Sequence, residues 1–491
     1  MDLHTAILEL RRRREQGLAL GGPERIARQH ARGLLSARER LDLLLDAGPR
    51  FEVTPTAGFG RVDGRLVAYH ATDATVKGGS GGAGAYRRGR IVQRTANLAG
   101  LPLVDLAQGA GASVPEIMGS RLAGNGGGNL GTVMAKPRRG LRLIAVLGNY
   151  FAPWNVALSD LAIMTKNSYC SIASPPVILE AIGETITEAE LGGWEVQSKI
   201  SGQIDAVGED DPDGIRLLKE AFGYLPGNVY QDPPIKWSGD PVDRRDEALL
   251  SIVPDSPSRA FDMRRLLKHV VDDGILFELR AGYGRALVTA LGRMAGHPVG
   301  IMANQPLHEA GSLDHEAFTK ANRLVDLCGT FHLPMLFFQD VPGVLVGRRQ
   351  EHNRILAKSM KYMTERVEAD IPKVSIVVRK AYGMAYFAMN GSGPGRSFSF
   401  AWPSASIAFM GPEPAVRVTY RRQLEQAADQ AAMMKQLTEQ WRHTSEPWQA
   451  AKLAYLDDVI DPRDTRRVII QALEYGRGAT AAVRRRWLPP S

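Results

Sequence analysis

The chain of 491 residues carries 61 Lys and Arg against 53 Asp and Glu, a formal net charge of +8, and 44% hydrophobic residues. Single cores stop growing at roughly 250–300 residues, so this length suits two or three domains, and the composition excludes a disordered chain or a collagen repeat. With 2 cysteines, Cys170 and Cys328, each in an apolar stretch, a disulfide framework and a four-cysteine zinc ribbon are excluded and buried thiols are expected.

No apolar run approaches the roughly 20 residues of a bilayer span, and the N-terminus opens on a charged segment rather than a signal-peptide core, so a cytoplasmic protein is expected. Arginines cluster at Arg11 to Arg14, Arg138 and Arg139, Arg348 and Arg349, and Arg484 to Arg486. Acids are interspersed and no stacking aromatics accompany them, so charge alone does not choose among a nucleic acid, a subunit contact and a solvated face.

In chain order, apolar spacing predicts a helix from Glu24 through Leu45, then short strands over Phe59 to Tyr69 and Thr72 to Val76, ending in the Gly-rich turn Gly78 to Gly82. A buried strand, Leu101-Pro-Leu-Val-Asp-Leu, runs into Gly109-Ala110-Gly111-Ala112; a helical stretch and a second strand, Arg142-Leu-Ile-Ala-Val-Leu, ending at Gly148, complete a parallel α/β unit. The Pro- and Asp-rich stretch from Tyr230 to Pro257 has linker composition, which puts a boundary near residue 245 and domains at 1–245 and 246–491. The second half replays the first. Leu333-Pro-Met-Leu-Phe-Phe, followed by Asp340-Val341-Pro342-Gly343, matches the strand near residue 105; Val374-Ser-Ile-Val-Val-Arg, followed by Tyr382-Gly383, matches the strand ending at Gly148; and Leu161-Ala-Ile-Met is matched with Ser406-Ile-Ala-Phe-Met.

In such units ligands approach the carboxyl ends of the strands, where unpaired backbone N–H groups can hold an oxyanion such as a thioester enolate. Other motifs are weaker. Gly78-Gly79-Ser80-Gly81-Gly82 matches a nucleophile elbow without assignable Asp and His partners and reads better as a flexible loop; Gly126 to Gly131 fits a dinucleotide pattern but follows no strand. Met360-Lys361 and Met434-Lys435 have the Met-Lys pair of a biotin attachment site, but in helical patterns, where surface lysines beside core methionines are expected. The histidines show no metal-ligand spacing, and no metal site is expected.

Glu24-Arg-Ile-Ala-Arg-Gln-His-Ala-Arg-Gly, Ser36-Ala-Arg-Glu-Arg-Leu-Asp-Leu-Leu-Leu-Asp, Glu190-Leu-Gly-Gly, Gly300-Ile-Met-Ala-Asn-Gln-Pro, Asp340-Val-Pro-Gly, Pro372-Lys-Val, Arg379-Lys-Ala-Tyr-Gly and Ala401-Trp-Pro-Ser-Ala follow one another along the chain. In these segments, from about residue 24 to 475, it resembles the β (carboxyltransferase) subunits of biotin-dependent acyl-CoA carboxylases of the propionyl-CoA and methylcrotonyl-CoA type. The resemblance implies an α/β fold of two crotonase-like lobes, the N-terminal one for the acyl-CoA and the C-terminal one for biotin. It also implies a hexameric ring with active sites between lobes of different subunits, and biotin borne by a partner biotin carboxylase/biotin-carrier subunit; nucleic acid and membrane are not among the implied partners.

Carried over, the resemblance makes Gly109, Ala110, Gly111 and Ala112 the acyl-CoA loop, here without the family's arginine, and Gly148 and Asn149 the start of the acyl oxyanion loop, here without the family's Gly-Gly pair. Tyr150, like Phe387, is expected at the acyl group. In the second half Gly383, Met384 and Ala385 are the oxyanion turn, and Tyr382 with Asp340, Val341, Pro342 and Gly343 faces biotin. Asn149, Tyr150 or Asn155 could rebuild the first oxyanion site with side-chain donors. The expected function is carboxyl transfer from carboxybiotin to an acyl-CoA through an enolate. The alternatives are a decarboxylase or thioester-processing enzyme that no longer uses biotin, and a non-catalytic subunit of a mixed ring with a paralogue.

Overall fold

In the computed structural model, which describes residues 2–80, 83–111, 118–119, 140–151 and 153–477, the helix predicted from Glu24 to Leu45 is two helices, Pro23–His30 and Ala37–Leu44, preceded by a third, Leu3–Leu18. Gly33, at φ 70°, turns the chain between them. Ser36 restarts it with a reciprocal cap: the Glu39 N–H donates to Ser36 Oγ and the Ser36 N–H to the Glu39 carboxylate.

The described residues divide into two compact units, one running to Asp232 and the other starting at Pro233. Each holds one eight-stranded sheet. The first contains β1 (Phe51–Thr54), β2 (Ala57–Val62), β3 (Arg65–Ala71), β4 (Leu103–Gly109), β5 (Arg142–Phe151), β6 (Leu161–Thr165), β7 (Tyr169–Ser171) and β8 (Ala206–Gly208). The second contains β9 (Phe277–Leu279), β10 (Leu287–Met294), β11 (His297–Asn304), β12 (Met335–Val341), β13 (Lys373–Tyr382), β14 (Ser397–Ala401), β15 (Ser406–Ala408) and β16 (Asp458–Val459).

The strand orders are the same: β1-β2-β3-β4-β5-β6-β8 with β7 on β5, and β9-β10-β11-β12-β13-β14-β16 with β15 on β13. The first two pairings of each sheet are antiparallel and the rest parallel. The predicted duplication is therefore present, with one of its correspondences corrected. Leu161–Thr165 lies beside β5 as Ser397–Ala401 lies beside β13, while Ser406–Ala408 takes the place of Tyr169–Ser171. Both short apolar strands match the wrong partner when aligned by composition, since each follows the same central strand. Thr72 to Val76, expected as a strand, is a turn in which Asp73 Oδ1 accepts from the Thr75 N–H and hydroxyl.

Even the tightest turns repeat. β2 and β3 are joined by Asp63-Gly64, at φ 48° and 75°, and β10 and β11 by Ala295-Gly296, at φ 51° and 77°, the two-residue connection whose twist matches the strands. Asp46 accepts from the Asp63 and Gly64 N–H groups (3.0 and 2.7 Å), and Asp272 from those of Ala295 and Gly296 (3.0 and 2.6 Å).

In the first unit β4, β5 and β6 pack Ala107, Ile144, Val146, Ala162 and Met164 against Val156 and Ile204. In the second, the helix Met263–Val270 lays Met263, Leu266, Leu267 and Val270 on β10 and β11, and the buried Trp402 satisfies its Nε1–H on Thr465 Oγ1 (2.9 Å). Cys170 and Cys328 are free and buried, as expected, and burial pushes the Cys170 thiol up to about 12. No described helix is long and apolar enough to cross a membrane.

Candidate functional site

The parallel strands of the second unit end at a short turn into the helix Met384–Ala388. Gly383 takes φ 59° and ψ −143°, a conformation a side chain would strain, and a Cβ there would sit 3.0 Å from the Phe409 carbonyl oxygen. Its own N–H donates to the Ala408 carbonyl (2.9 Å), while the Tyr382 hydroxyl, pushed up by burial, bonds Ser406 Oγ (3.1 Å), so β13 and β15 fix the turn from both sides. Met384 and Ala385 occupy the first two helical positions, whose N–H groups have no acceptor within a helix. Phe387, one turn on, is 50% exposed and edge-on to Tyr386 at 5.2 Å.

Beneath the turn lies a buried ion pair. Asp340, at the end of β12, accepts from Arg379 Nη2 (2.7 Å) and Nε (3.3 Å) and from the Lys380 N–H (3.2 Å), and its own N–H donates to Asn304 Oδ1 (3.3 Å). Arg379 Nη1 also donates to the Ser256 and Arg259 carbonyls (3.1 and 2.9 Å), and its guanidinium lies 5.2 Å from the Phe261 ring centroid. Asp340 thus braces the strand ends, and Arg379 ties them to the 256–261 segment. Beyond it Val341 is buried, Pro342 is half-buried, and Gly343, at φ 147°, accepts from the Leu313 N–H (3.1 Å).

In the first unit the corresponding strand continues past Gly148 to Phe151. The Gly148 N–H donates to the buried Ser168 Oγ (2.6 Å), which leaves it no hydrogen for a substrate oxygen. Asn149 Nδ2 donates to Glu188 (3.0 Å) and Asn155 Nδ2 to Asp105 (3.2 Å), so two of the three candidate side-chain donors already have a carboxylate acceptor. Tyr150 is half-buried against the sheet core. The helix Trp154–Leu158 is capped by Pro153, which has no N–H to offer. Gly109 and Gly79 meet backbone to backbone: a Cβ on Gly109 would lie 2.8 Å from the Gly79 carbonyl oxygen, and the Ala110 N–H donates to Gly78 (2.9 Å). This contact accounts for the Gly78-Gly79 pair, and Ser80 Oγ donates to the Lys77 carbonyl (2.7 Å), closing a short 3₁₀ turn where a flexible loop is expected. Gly111, at φ 79°, lies beside Phe151. Ala112, Gly81, Gly82 and Gly126 to Gly131 fall outside the described residues.

One residue to which the sequence reading assigns no role carries much of this region. Arg40, fully buried, donates to Asp211 (2.7 Å), Gln108 Oε1 (2.6 Å) and the Leu147 carbonyl (2.7 Å), tying the helix Ala37–Leu44 to the ends of β4 and β5. The available signal is the Arg40 of Ala37-Arg-Glu-Arg, an arginine on the same helical face as Leu41 and Leu44. The two Met-Lys pairs lie in the helices Ile355–Glu368 and Gln430–Thr444, as expected, though Met360 is exposed and Met434 half-buried rather than in the core.

The carboxyl transferase domain model matches residues 28–485, across both units. The chain belongs to the carboxyl transferase family. It is 35% identical to the propionyl-CoA carboxylase carboxyltransferase subunit of Haloferax mediterranei over 96% of each chain. It is 33% identical to the methylmalonyl-CoA decarboxylase subunit alpha of Veillonella parvula over 92% of each. Transcarboxylase 12S, solved as a hexamer assembly with methylmalonyl-coenzyme A bound, superposes with a TM-score of 0.92 at 33% identity, covering 100% of this chain and 99% of that one. The two carboxyl transferase sheets are thus the crotonase-like pair that the sequence motifs imply.

Proposed function

We propose that this carboxyl transferase is the carboxyltransferase subunit of a biotin-dependent acyl-CoA carboxylase, working in the cytoplasm within a ring of its own kind. Biotin, carried by a partner subunit, supplies the carboxyl group. The observation that carries the reading is the Gly383 turn. Its positive-φ glycine and paired N–H hold the chain so that Met384 and Ala385 begin a helix with two N–H groups side by side that have no acceptor within it. Donors of that kind stabilise a carbonyl oxygen as it gains negative charge, and they fit the ureido oxygen of biotin. Tyr382 and the Asp340 to Gly343 loop frame the turn, and Phe387 offers an apolar ring beside it. The Gly109 to Gly111 loop and Tyr150 take the acyl-CoA in the first unit, where the acyl carbanion receives the carboxyl group.

The test is transfer of label. The purified chain is combined with a biotin carboxylase and carrier, ATP, radiolabelled bicarbonate and propionyl-CoA. Acid-stable label in the thioester is the expected result. A charged carrier that retains its label while the chain binds thioester would refute the proposal.

A further inference from the structure

The helix Met384–Ala388 begins on two N–H groups without an acceptor inside it, and its other end leaves carbonyls that need donors. The backbone supplies some of them: Ala385, Tyr386 and Phe387 accept from the N–H groups of Met389 (2.9 Å), Gly391 (2.9 Å) and Asn390 (3.0 Å). Side chains supply the rest. Tyr362 Oη donates to the Ala388 carbonyl (2.6 Å), and Gln339 Nε2 and Ser375 Oγ donate to that of Met389 (3.0 and 3.3 Å). Gln339 Nε2 also donates to Ser375 Oγ (2.6 Å), which couples the two. Asn390, at φ 64°, closes the helix in the left-handed region, and its side-chain oxygen accepts from Arg366 Nη1.

These donors converge from a helix and two strands. Tyr362 and Arg366 lie one turn apart on the helix Ile355–Glu368, Gln339 on β12 and Ser375 on β13, and all four are buried. Burial pushes the Tyr362 phenol up, which keeps the proton on the donor. The Phe318 ring packs against it, centroids 5.9 Å apart.

The fold does not require polar residues at these strand positions. Along the matched registers Ala107 stands where Gln339 stands and Ile144 where Ser375 stands, and both belong to the apolar core that also holds Val156 of the helix Trp154–Leu158. One copy of the duplicated unit thus seats the helix after its central strand on methyl groups; the other seats it on hydrogen bonds. Burying polar groups costs desolvation that an apolar seat avoids, and a satisfied network fixes position and direction where methyl groups allow sliding. The helix fixed in this way is the one that carries the oxyanion donors.

We propose that Tyr362, Gln339 and Ser375 are positioning residues for carboxyl transfer, holding Met384–Ala388 by its C-terminal carbonyls so that the Met384 and Ala385 N–H groups stay aimed at the biotin oxygen. Arg366, through Asn390, secures the same end. The inference rests on the oxyanion reading of the Gly383 turn and deepens it by naming what sets the aim of the donors. Loss of aim acts on turnover and leaves thioester binding alone, because the acyl-CoA is held by the first unit.

Tyr362→Phe and Gln339→Met remove donors at nearly constant volume. Each full-length variant is combined with biotin carboxylase, carrier, ATP, radiolabelled bicarbonate and propionyl-CoA, beside the parent and Met384→Pro, and turnover is expressed per thioester-binding site so that unfolded protein does not count. We expect kcat per site to fall by about 10-fold or more in both variants with KM for propionyl-CoA unchanged, the pattern of donors misplaced in the transition state. Parent-level kcat in both variants, with Met384→Pro inactive, overturns the inference and leaves the oxyanion reading standing. No transfer by the parent, or full turnover by Met384→Pro, overturns that reading and the inference with it. If Tyr362→Phe and Gln339→Met do not fold, Ser375→Ala takes their place, and parent-level kcat there overturns the proposal on its own.

Discussion

Gly148 and Arg379 occupy the same place in the two sheets. Val146 pairs with Ala107 and Val377 with Gln339, so two residues further on Gly148 stands where Arg379 stands, and Gln108 where Asp340 stands. In the second unit the guanidinium therefore comes from the strand itself. In the first it comes from Arg40, which donates to Gln108, and Gly148 leaves the room: a Cβ there would lie 2.8 Å from Gln108 Nε2. The same strand-end brace is built from different parts of the chain.

Gly148→Ala should accordingly be destabilising. Its φ of 113° disfavours a side chain, and the added methyl meets Gln108. A loss of about 1–3 kcal/mol is expected by urea denaturation, the range of a strained backbone position. A variant as stable as the parent would show that Gln108 can give way freely.

Breaking the other brace should do more damage. Arg379 and Asp340 are 5% and 0% accessible, so Asp340→Ala strands a buried guanidinium. Removing one partner of such a pair costs about 3–5 kcal/mol. Arg379→Met combined with Asp340→Leu should lose less than Asp340→Ala alone, which paired denaturation curves would decide.

The duplication is legible in the sequence because the long strands Met335–Val341 and Lys373–Tyr382 are apolar runs ending in glycine loops, like their counterparts. Their short neighbours are not, because Tyr169–Ser171 and Ser406–Ala408 have three residues each and carry no periodicity. The Gly383 turn stands out by its motif. Gly148 belongs to a motif too, but its N–H is committed to Ser168, twenty positions away, which no local pattern reveals. Gln339 and Ser375 are polar residues in apolar strands, thirty-six apart, and only strand pairing joins them.

Lys320 makes a pH signature. It is buried, donates to the Leu287 carbonyl (2.7 Å), and burial lowers its pKa from 10.5 to about 7. Between those values the unfolded chain binds the extra proton, so this group's contribution to stability rises with pH from about 7 to about 10.5. A slope of about 1.4 kcal/mol per pH unit is the full effect of one such group. Lys320→Met should remove that rise from urea midpoints measured across pH 7 to 9; parallel curves would refute it.

Lys361 and Lys435 lie on helices. Co-expression with a biotin ligase should therefore leave the intact mass of the chain unchanged, and an increase matching biotin would place the carrier function here.

The most direct measurement concerns one N–H. Met384 is the first residue of its helix, a position where proline fits the backbone and removes only the donor. Met384→Pro and Met384→Ala are to be compared for transfer of label from carboxylated carrier to propionyl-CoA, with melting temperature and thioester binding as controls. We expect the alanine variant to stay near the parent and the proline variant to fall by about 100- to 1,000-fold, the loss typical of one oxyanion donor, while folding and binding thioester normally. Full transfer by a folded Met384→Pro protein would contradict the assignment of this turn as the oxyanion site.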